Sequence, residues 1–452
     1  MKPRPLAGVA AAVEGDLVGE DVTVRSVATD SRVVEPGALF VALDGPRRDG
    51  HAFVAAAFER GAVAALVRRG SRVDGPAVEV ASPGDALLAL AGDERAGMDA
   101  VVVGITGANG KTSTKDMAAQ VAARRLRTHA SPRSFNNEIG TPMTLLGAPP
   151  DVQVVVAELG ARREGDVALL CAVARPDVVV VTNVGVAHME VFGSWEAIVR
   201  ASAEPIDALG DRGAAVLNAD DPIVAALAGR THADVVTFGR SGDADVRAVD
   251  VVVGADGRAA FTLVAEGRRE PVRLAVAGEH MVPNALAAAA VGIRLGVSPD
   301  EAAAALSTAT IAPWRMETFD ADGVRVLNDA YNANPESMAA ALRTAMIMAG
   351  DGRVIAVLGQ MAELGSIGAE EHERLGELVA RLGVARLITV GPEAKTIAVA
   401  AVREGVEPEN VAGYDGADAA LADVRAHART GDVVLVKASR VAGLEQLAEA
   451  LR

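Results

Sequence analysis

Gly107, Gly110, Lys111 and Thr112 stand between a Val-rich run and an amphipathic stretch, in the segment GITGANGKTSTKDM from Gly104 to Met117. These residue types suit a phosphate. Glycines let backbone N–H groups close on an anion, a helix start adds its positive end, lysine reaches terminal phosphate oxygens, and threonine offers a hydroxyl to Mg²⁺. The spacing is odd, however: G-x-x-x-x-G-K-[ST] would need glycine where the chain has Ile105, since Gly104 lies one residue too far from Gly110. An ordinary glycine turn ahead of a Lys-containing helix is the bland alternative, and the strand–loop–helix context favours the cradle.

Glu158 follows the run VQVVVA, and His188 follows DVVVVTNVGVA. In an open parallel sheet the carboxyl ends of neighbouring strands face one crevice, so both residues are expected beside Lys111. A carboxylate and a neutral imidazole there would hold Mg²⁺, the carboxylate supplying a hard oxygen. Taken singly, Glu158 reads as a capping carboxylate and His188 as a surface histidine. Their convergence with the loop argues for a site.

The elements that must position these residues alternate β-branched runs with helical patterns from Asp99 onward, which reads as parallel α/β. The central runs are DAVVVGI (99–105), VQVVVAEL (152–159), DVVVVTNV (177–184) and AAVLNAD (214–220). Near-continuous Val marks strands covered on both faces. Residues 245–277 instead alternate polar and apolar around Asp256-Gly257, predicting a small antiparallel insert. Helices return at 282–307, and a second α/β series follows Ile311-Ala312-Pro313 with strands GVRVLND, RVIAVLG, RLITVG and DVVLVKAS. A small N-terminal α/β unit carries VTVRSVAT, ALFVAL and the helical AFVAAAFERGA. The expected units are 1–95, 96–312 and 313–452, in line with a length of 452 residues that suits roughly three domains.

A formal charge of −16 with 50% apolar residues describes a globular chain and argues against nucleic-acid wrapping or an anionic membrane surface. Anionic ligands must then be held by local features. Cys171, the only cysteine, lies in the apolar run VALLCAVA and is expected to be a buried thiol, in keeping with a reducing cytoplasm. The short apolar run after Lys2 and Arg4 is interrupted by Glu14 and Asp16, a poor signal peptide. No stretch suggests membrane insertion.

Four polar segments interrupt the Ala/Val-rich sequence: SFNNEIGTP (134–142), GEHMVPNALAA (278–288), PWRME (313–317) and NDAYNANPESM (328–338). Each has a bland reading: Asn136 and Asn137 as turn formers, Asn284 as a helix cap, Arg315 as a linker charge, Asn332 to Pro335 as a helix-starting loop.

In their order these segments resemble the Mur ligases, the ATP-dependent amino-acid ligases of peptidoglycan precursor synthesis. The family's T-G-x-x-G-K-[ST] loop is matched by Thr106-Gly107-Ala108-Asn109-Gly110-Lys111-Thr112, so the odd glycine spacing is a family variant. Within the family, FNNEIGTP, AELGA, DAYNANPESM, LGQMAELG (358–365) and LVKASR (435–440) are most similar to the branch that joins D-alanyl-D-alanine to UDP-N-acetylmuramoyl-tripeptide. TDSR (29–32), PGALFVAL (36–43) and DGHAF (49–53) extend the resemblance through the N-terminus.

The resemblance implies a central P-loop-type parallel-sheet ATPase domain, a Rossmann-like C-terminal domain and an N-terminal UDP-sugar-binding domain. It implies that Thr106, Gly107, Asn109, Gly110, Lys111, Thr112 and Ser113 surround the ATP phosphates, with Thr112, Glu158 and His188 at Mg²⁺ and Lys111, Glu158 and His188 as the catalytic set. Asn284, Arg315 and Asp329 would contact the nucleotide. Ser31, Arg32, Asp49 and His51 would anchor the uridine nucleotide, and Asn136, Asn137 and Thr141 would line the channel to the reacting carboxylate. Tyr331, Asn332, Asn334 and Pro335 would form the dipeptide side. A cytoplasmic monomer is expected.

The chain departs from the family at three positions. Ser202 stands where a carbamylated lysine usually lies fourteen residues after the metal-site histidine, Gln360 replaces an aspartate in G-D-M-x-E-L-G, and Ala438 replaces a glycine in K-G-S-R. A serine forms no carbamate, which puts a second metal site in question. Two rival expectations therefore stand beside the first. One is a sister ligase adding diaminopimelate or lysine, or a folylpolyglutamate synthase, against which DAYNANP argues. The other is a degenerate nucleotide-binding paralogue. A mechanical P-loop ATPase fits poorly, for no arginine finger or repeated core is evident.

Overall fold

The computed structural model describes residues 1–45, 48–186 and 188–452. Three main sheets divide the chain. The central one has nine strands in the order 268–277, 258–265, 246–253, 234–239, 214–218, 178–181, 101–106, 154–158, 128–130. Its runs of Val form strands buried on both faces, as continuous β-branched sequence requires: Val103, Ile105, Val156 and Val180 are all inaccessible to water. Each contributes roughly 1.5–3 kcal/mol by burial.

Strand Val101–Thr106 is the topological switch point, because it pairs in parallel with Val154–Glu158 on one side and Val178–Val181 on the other. In register, Glu158 lies opposite Ile105, and Val181 opposite Thr106. Three strand ends are thereby level where the glycine loop begins. Helices Lys111–Ala122 and Met281–Arg294 cover one face, packed through Met117, Val121, Ala285 and Ala288.

The segment expected as an antiparallel insert forms three strands, Val246–Val253, Arg258–Ala265 and Arg268–Ala277. They do not stand apart. Val246 and Arg247 pair in parallel with Phe238 and Gly239, so the insert extends the edge of the central sheet.

The N-terminal sheet has five strands in the order 16–18, 77–80, 64–68, 38–41, 26–28, parallel except for the first. Its helix Pro83–Ala96 is clamped to the central sheet by buried Arg95, which donates to the carbonyls of Ala174, Met98 and Arg175 and pairs with Asp177 at 2.9 Å. The C-terminal sheet runs 317–321, 324–328, 433–437, 354–359, 386–390, 411–414, parallel but for its first strand. The antiparallel strand Glu317–Ala321 and the edge strand Val411–Tyr414 went unread in the sequence, since both lie at sheet edges where apolar periodicity is weak. Among the described residues no helix is long and apolar enough to cross a membrane.

Cys171 is buried as expected, and burial pushes its thiol up to about 12. Iodoacetamide at neutral pH is expected to leave it unmodified in the native protein and to alkylate it once the chain is denatured, read by intact-mass spectrometry.

Candidate active site

The glycine loop is shaped by its neighbours as much as by its own residues. Gly110 has φ +81°, and a Cβ there would lie 2.1 Å from Asn284 Oδ1; at Gly107, with φ +130°, it would lie 2.1 Å from Thr182 Oγ1. Both positions therefore require glycine. Asn109 is held on both sides: its N–H donates to Asn183 Oδ1 at 2.8 Å, and its carbonyl accepts from Thr182 Oγ1 at 2.7 Å and Asn183 Nδ2 at 3.0 Å. Thr182 and Asn183 were read only as the end of a Val strand. The signal was the sudden Thr-Asn after four valines.

Lys111 starts the following helix and folds its ammonium back onto the Gly107 carbonyl at 2.6 Å and the Ala108 carbonyl at 3.2 Å. Burial pulls its pKa below the usual lysine value; Glu158 opposes that shift and Arg315 adds to it. Thr112 donates to Glu158 Oε2 at 2.8 Å, and Asn136 Nδ2 to Glu158 Oε1 at 2.8 Å. Glu158 is only 1% exposed and Thr112 2%. A carboxylate held this way, with both oxygens oriented by donors, faces the cleft in one geometry.

That cleft measures about 1020 Å³. It gathers Asn109, Gly110, Lys111, Thr112, Ser113, Asn136, Asn137, Glu158, His188 and Asn284 from the central sheet. Arg315, Asp329, Tyr331, Asn332 and Asn334 enter it from the linker and the C-terminal unit. Lys111 and Glu158 are thus in one place.

Other expected residues sit apart from the cleft or are already engaged by neighbours. Thr106 is buried at its strand end and Gly107 is half-buried beneath the Lys111 ammonium; both shape the loop, and neither is among the residues lining the cleft. Thr141 is fully buried in the helix Gly140–Leu146 and donates to the Glu158 carbonyl at 3.3 Å; it supports Glu158 and lines no channel. Asp329 lines the cleft, but Oδ2 is paired with Lys437 at 2.5 Å and Oδ1 accepts from Met316 N–H at 3.1 Å. Its charge is spent within the protein. Ser31, Arg32, Asp49 and His51 lie outside this cleft, on the N-terminal unit where a nucleotide anchor is expected. Arg32 is exposed and forks onto Asp30, while Asp49 accepts from the His51 N–H at 2.9 Å and from its ring Nδ1 at 2.6 Å.

The bland readings also hold in part. Asn137 Oδ1 accepts from Gly140 N–H at 2.9 Å, ahead of the helix Gly140–Leu146. Asn334 caps the helix Pro335–Ala349 through a bond from Ser337 N–H at 2.9 Å, worth about 1 kcal/mol. It also donates to Asn109 Oδ1, tying the C-terminal unit to the phosphate loop. A cap and a site residue are here the same side chain.

Several residues went unnoticed in the sequence. Ser134 Oγ lies 3.2 Å from Thr112 Oγ1 and accepts from Arg315 Nη2 at 3.1 Å. Lys115, buried one helical turn after Lys111, donates to the carbonyls of Ser131 and Arg133 at 2.7 and 2.9 Å and so holds the loop that carries Ser134 and Asn136. Glu363 pairs with His188 Nδ1 across the cleft. His188 sits at φ +59°, and burial, aided by Lys111, lowers its pKa. Its Nδ1 being engaged, Nε2 is the ring nitrogen left for a cation.

Glu158 and the Thr112 hydroxyl fit a hard divalent ion such as Mg²⁺, which prefers oxygen donors. Position 202 adds nothing to that set. Ser202 Oγ donates to the Val199 carbonyl at 2.7 Å within its own helix and does not line the cleft.

A phosphate loop at a sheet switch point, a buried carboxylate on its threonine and a second α/β unit closing over both define a nucleotide-dependent ligase-type site. Comparisons agree along the whole chain. Three family models match: "Mur ligase family, catalytic domain" over 23–101, "Mur ligase middle domain" over 105–292 and "Mur ligase, glutamate ligase domain" over 314–440. The UDP-N-acetylmuramoyl-tripeptide–D-alanyl-D-alanine ligase of Mycobacterium tuberculosis is 42% identical over 99% of this chain and 96% of its own. MurF from Acinetobacter baumannii superposes with a TM-score of 0.89 at 30% identity, covering 100% of this chain and 99% of that one. MurF from Thermotoga maritima in complex with ADP gives 0.82 at 29% identity, covering 95% and 97%. The chain belongs to the Mur ligase family.

Proposed function

We infer that this protein joins D-alanyl-D-alanine to UDP-N-acetylmuramoyl-tripeptide at the expense of ATP, forming ADP and phosphate, in the building of peptidoglycan precursor. The observation that carries this reading is the junction of three segments: Lys111 and Thr112 on the loop, Glu158 bonded to Thr112, and Asn334 of DAYNANP bonded to Asn109. The relatives at 42% identity and the ADP-bound MurF neighbour support it.

A bare carboxylate resists attack by an amine, so it must first be activated. The terminal carboxylate of the tripeptide attacks the γ-phosphorus of ATP, the P–O bond to ADP breaks, and an acyl phosphate results. The dipeptide amine then adds to the acyl carbon, loses a proton, and expels inorganic phosphate. Bound Mg²⁺ would neutralise charge on the phosphate oxygens. Lys111 releases the Gly107 and Ala108 carbonyls to meet the transferring phosphoryl group, adding a donor where charge builds up. Glu158 and Thr112 would hold the ion, while Arg315 approaches from the linker. Contacts of Glu363 with His188 and of Asn334 with Asn109 seat the C-terminal unit on the central one, which would keep water from the acyl phosphate.

In this reading residues 96–312 bind ATP, 313–452 present the dipeptide and 1–95 hold the uridine nucleotide through Ser31, Arg32, Asp49 and His51. Their place outside the cleft suits a long substrate whose nucleotide end lies away from its reacting carboxylate. We place the protein in the cytoplasm, acting as a monomer.

Ser202 supports a second reading, a nucleotide-binding relative without ligase activity, because position 202 brings no ligand to the cleft. One assay separates the two. Phosphate release, measured with each component left out in turn, is expected only when ATP, UDP-N-acetylmuramoyl-tripeptide and D-alanyl-D-alanine are all present. ATP binding without release under those conditions would favour the second reading, and release with glutamate or diaminopimelate in place of the dipeptide would favour a sister ligase.

A further inference from the structure

The linker between the central and C-terminal units is held in an unusual conformation. Trp314 and Met316 have left-handed backbones, φ +61° and +50°, on either side of Arg315. Residues with a Cβ avoid that region unless their surroundings impose it. Here the surroundings are the segment from Asp329 to Tyr331, which holds the turn at both ends. Met316 N–H donates to Asp329 Oδ1 at 3.1 Å, the Trp314 carbonyl accepts from Tyr331 N–H at 3.1 Å, and Asp329 Oδ2 is paired at 2.5 Å with Lys437. Lys437 is 1% exposed and donates also to the Asn332 carbonyl at 2.8 Å. It ends strand Val433–Lys437, third of six in the C-terminal sheet.

From the same turn Arg315 points the other way. Its guanidinium carbon lies 4.0 Å from the Tyr331 ring centroid, and Nη2 donates to Ser134 Oγ, which touches Thr112. An unbroken set of contacts therefore runs from Lys437 through Asp329, the linker and Arg315 to the hydroxyl that bonds Glu158. Stability alone is a weak reason for such a pair, because buried ion pairs often contribute less than apolar residues of similar volume.

We propose that Lys437 and Asp329 are positioning residues for ligation: their ion pair locks the left-handed turn at 314–316 and so delivers Arg315 to the phosphate cradle when the C-terminal unit is seated. This rests on the ligase reading above. Neither residue touches the reacting atoms, and Arg315 is the group through which both act.

The test is a double-mutant cycle of Lys437→Met with Arg315→Ala, in a Trp195→Phe background that leaves Trp314 as the sole tryptophan. Lys437→Met is expected to lower kcat/KM for ATP at least about tenfold, but no more than about twofold once Arg315 is alanine, because members of one network are non-additive. Trp314 emission should shift to the red as the turn relaxes. Since Lys437→Met strands a buried carboxylate, Asp329→Asn with Lys437→Met is measured alongside; it must show the same ATP defect with an unchanged melting temperature. A smaller loss, or one that multiplies with that of Arg315→Ala, overturns the proposal. Calorimetric titration with ADP repeats the comparison without catalysis, so a parent enzyme that fails to ligate would sink the ligase reading and leave the pair to be judged on binding.

Discussion

Lys111→Ala is expected to lower kcat/KM for ATP-dependent ligation by on the order of 10²–10³-fold, the usual loss when a donor to developing charge is removed. The fold should survive. Among the described residues the ammonium bonds only the Gly107 and Ala108 carbonyls of its own loop, and the loop is independently braced by Thr182 and Asn183. A melting temperature close to that of the parent, together with lost phosphate release, is the expected pair of measurements. Near-normal turnover would refute the role.

Glu158→Gln is expected to cost about as much, on the order of 10²–10³-fold in kcat, for two separable reasons. The first is the loss of the negative charge that would hold Mg²⁺. The second is local: Thr112 and Asn136 each donate to one carboxylate oxygen, and an amide must turn its NH₂ toward one of them. A buried donor left facing another costs about 1–3 kcal/mol. Turning toward Thr112 is the cheaper choice, because a hydroxyl can also accept. Loss of activity should therefore exceed loss of stability. Raising the Mg²⁺ concentration should recover part of the rate; if it recovers none while the protein remains folded, Glu158 acts otherwise than on the ion.

Much of the site is legible in the sequence because parallel sheets put local patterns to common use. Three Val runs announce strands buried on both faces, and a residue just past such a run must emerge at the carboxyl edge. That logic found Lys111, Glu158 and His188 without any contact being known. Asn136, Asn284 and Asn334 were equally visible as polar residues in Ala/Val-rich surroundings, though the sequence could not separate cap from contact. Asn334 proves to be both.

What stayed hidden depends on which distant segments meet. Thr141 reads like its neighbours Asn136 and Asn137, yet a single helical turn directs it inward to the Glu158 backbone. Asp329 looks like a free carboxylate until the last C-terminal strand brings Lys437 against it, over a hundred residues later in the chain. Glu363 shows no sign of its partner His188, 175 residues earlier. Local order follows from residue type and spacing, since backbone geometry repeats every two or 3.6 residues. Charge pairing across the cleft follows from how two different sheets are docked, and no periodicity within either one encodes it.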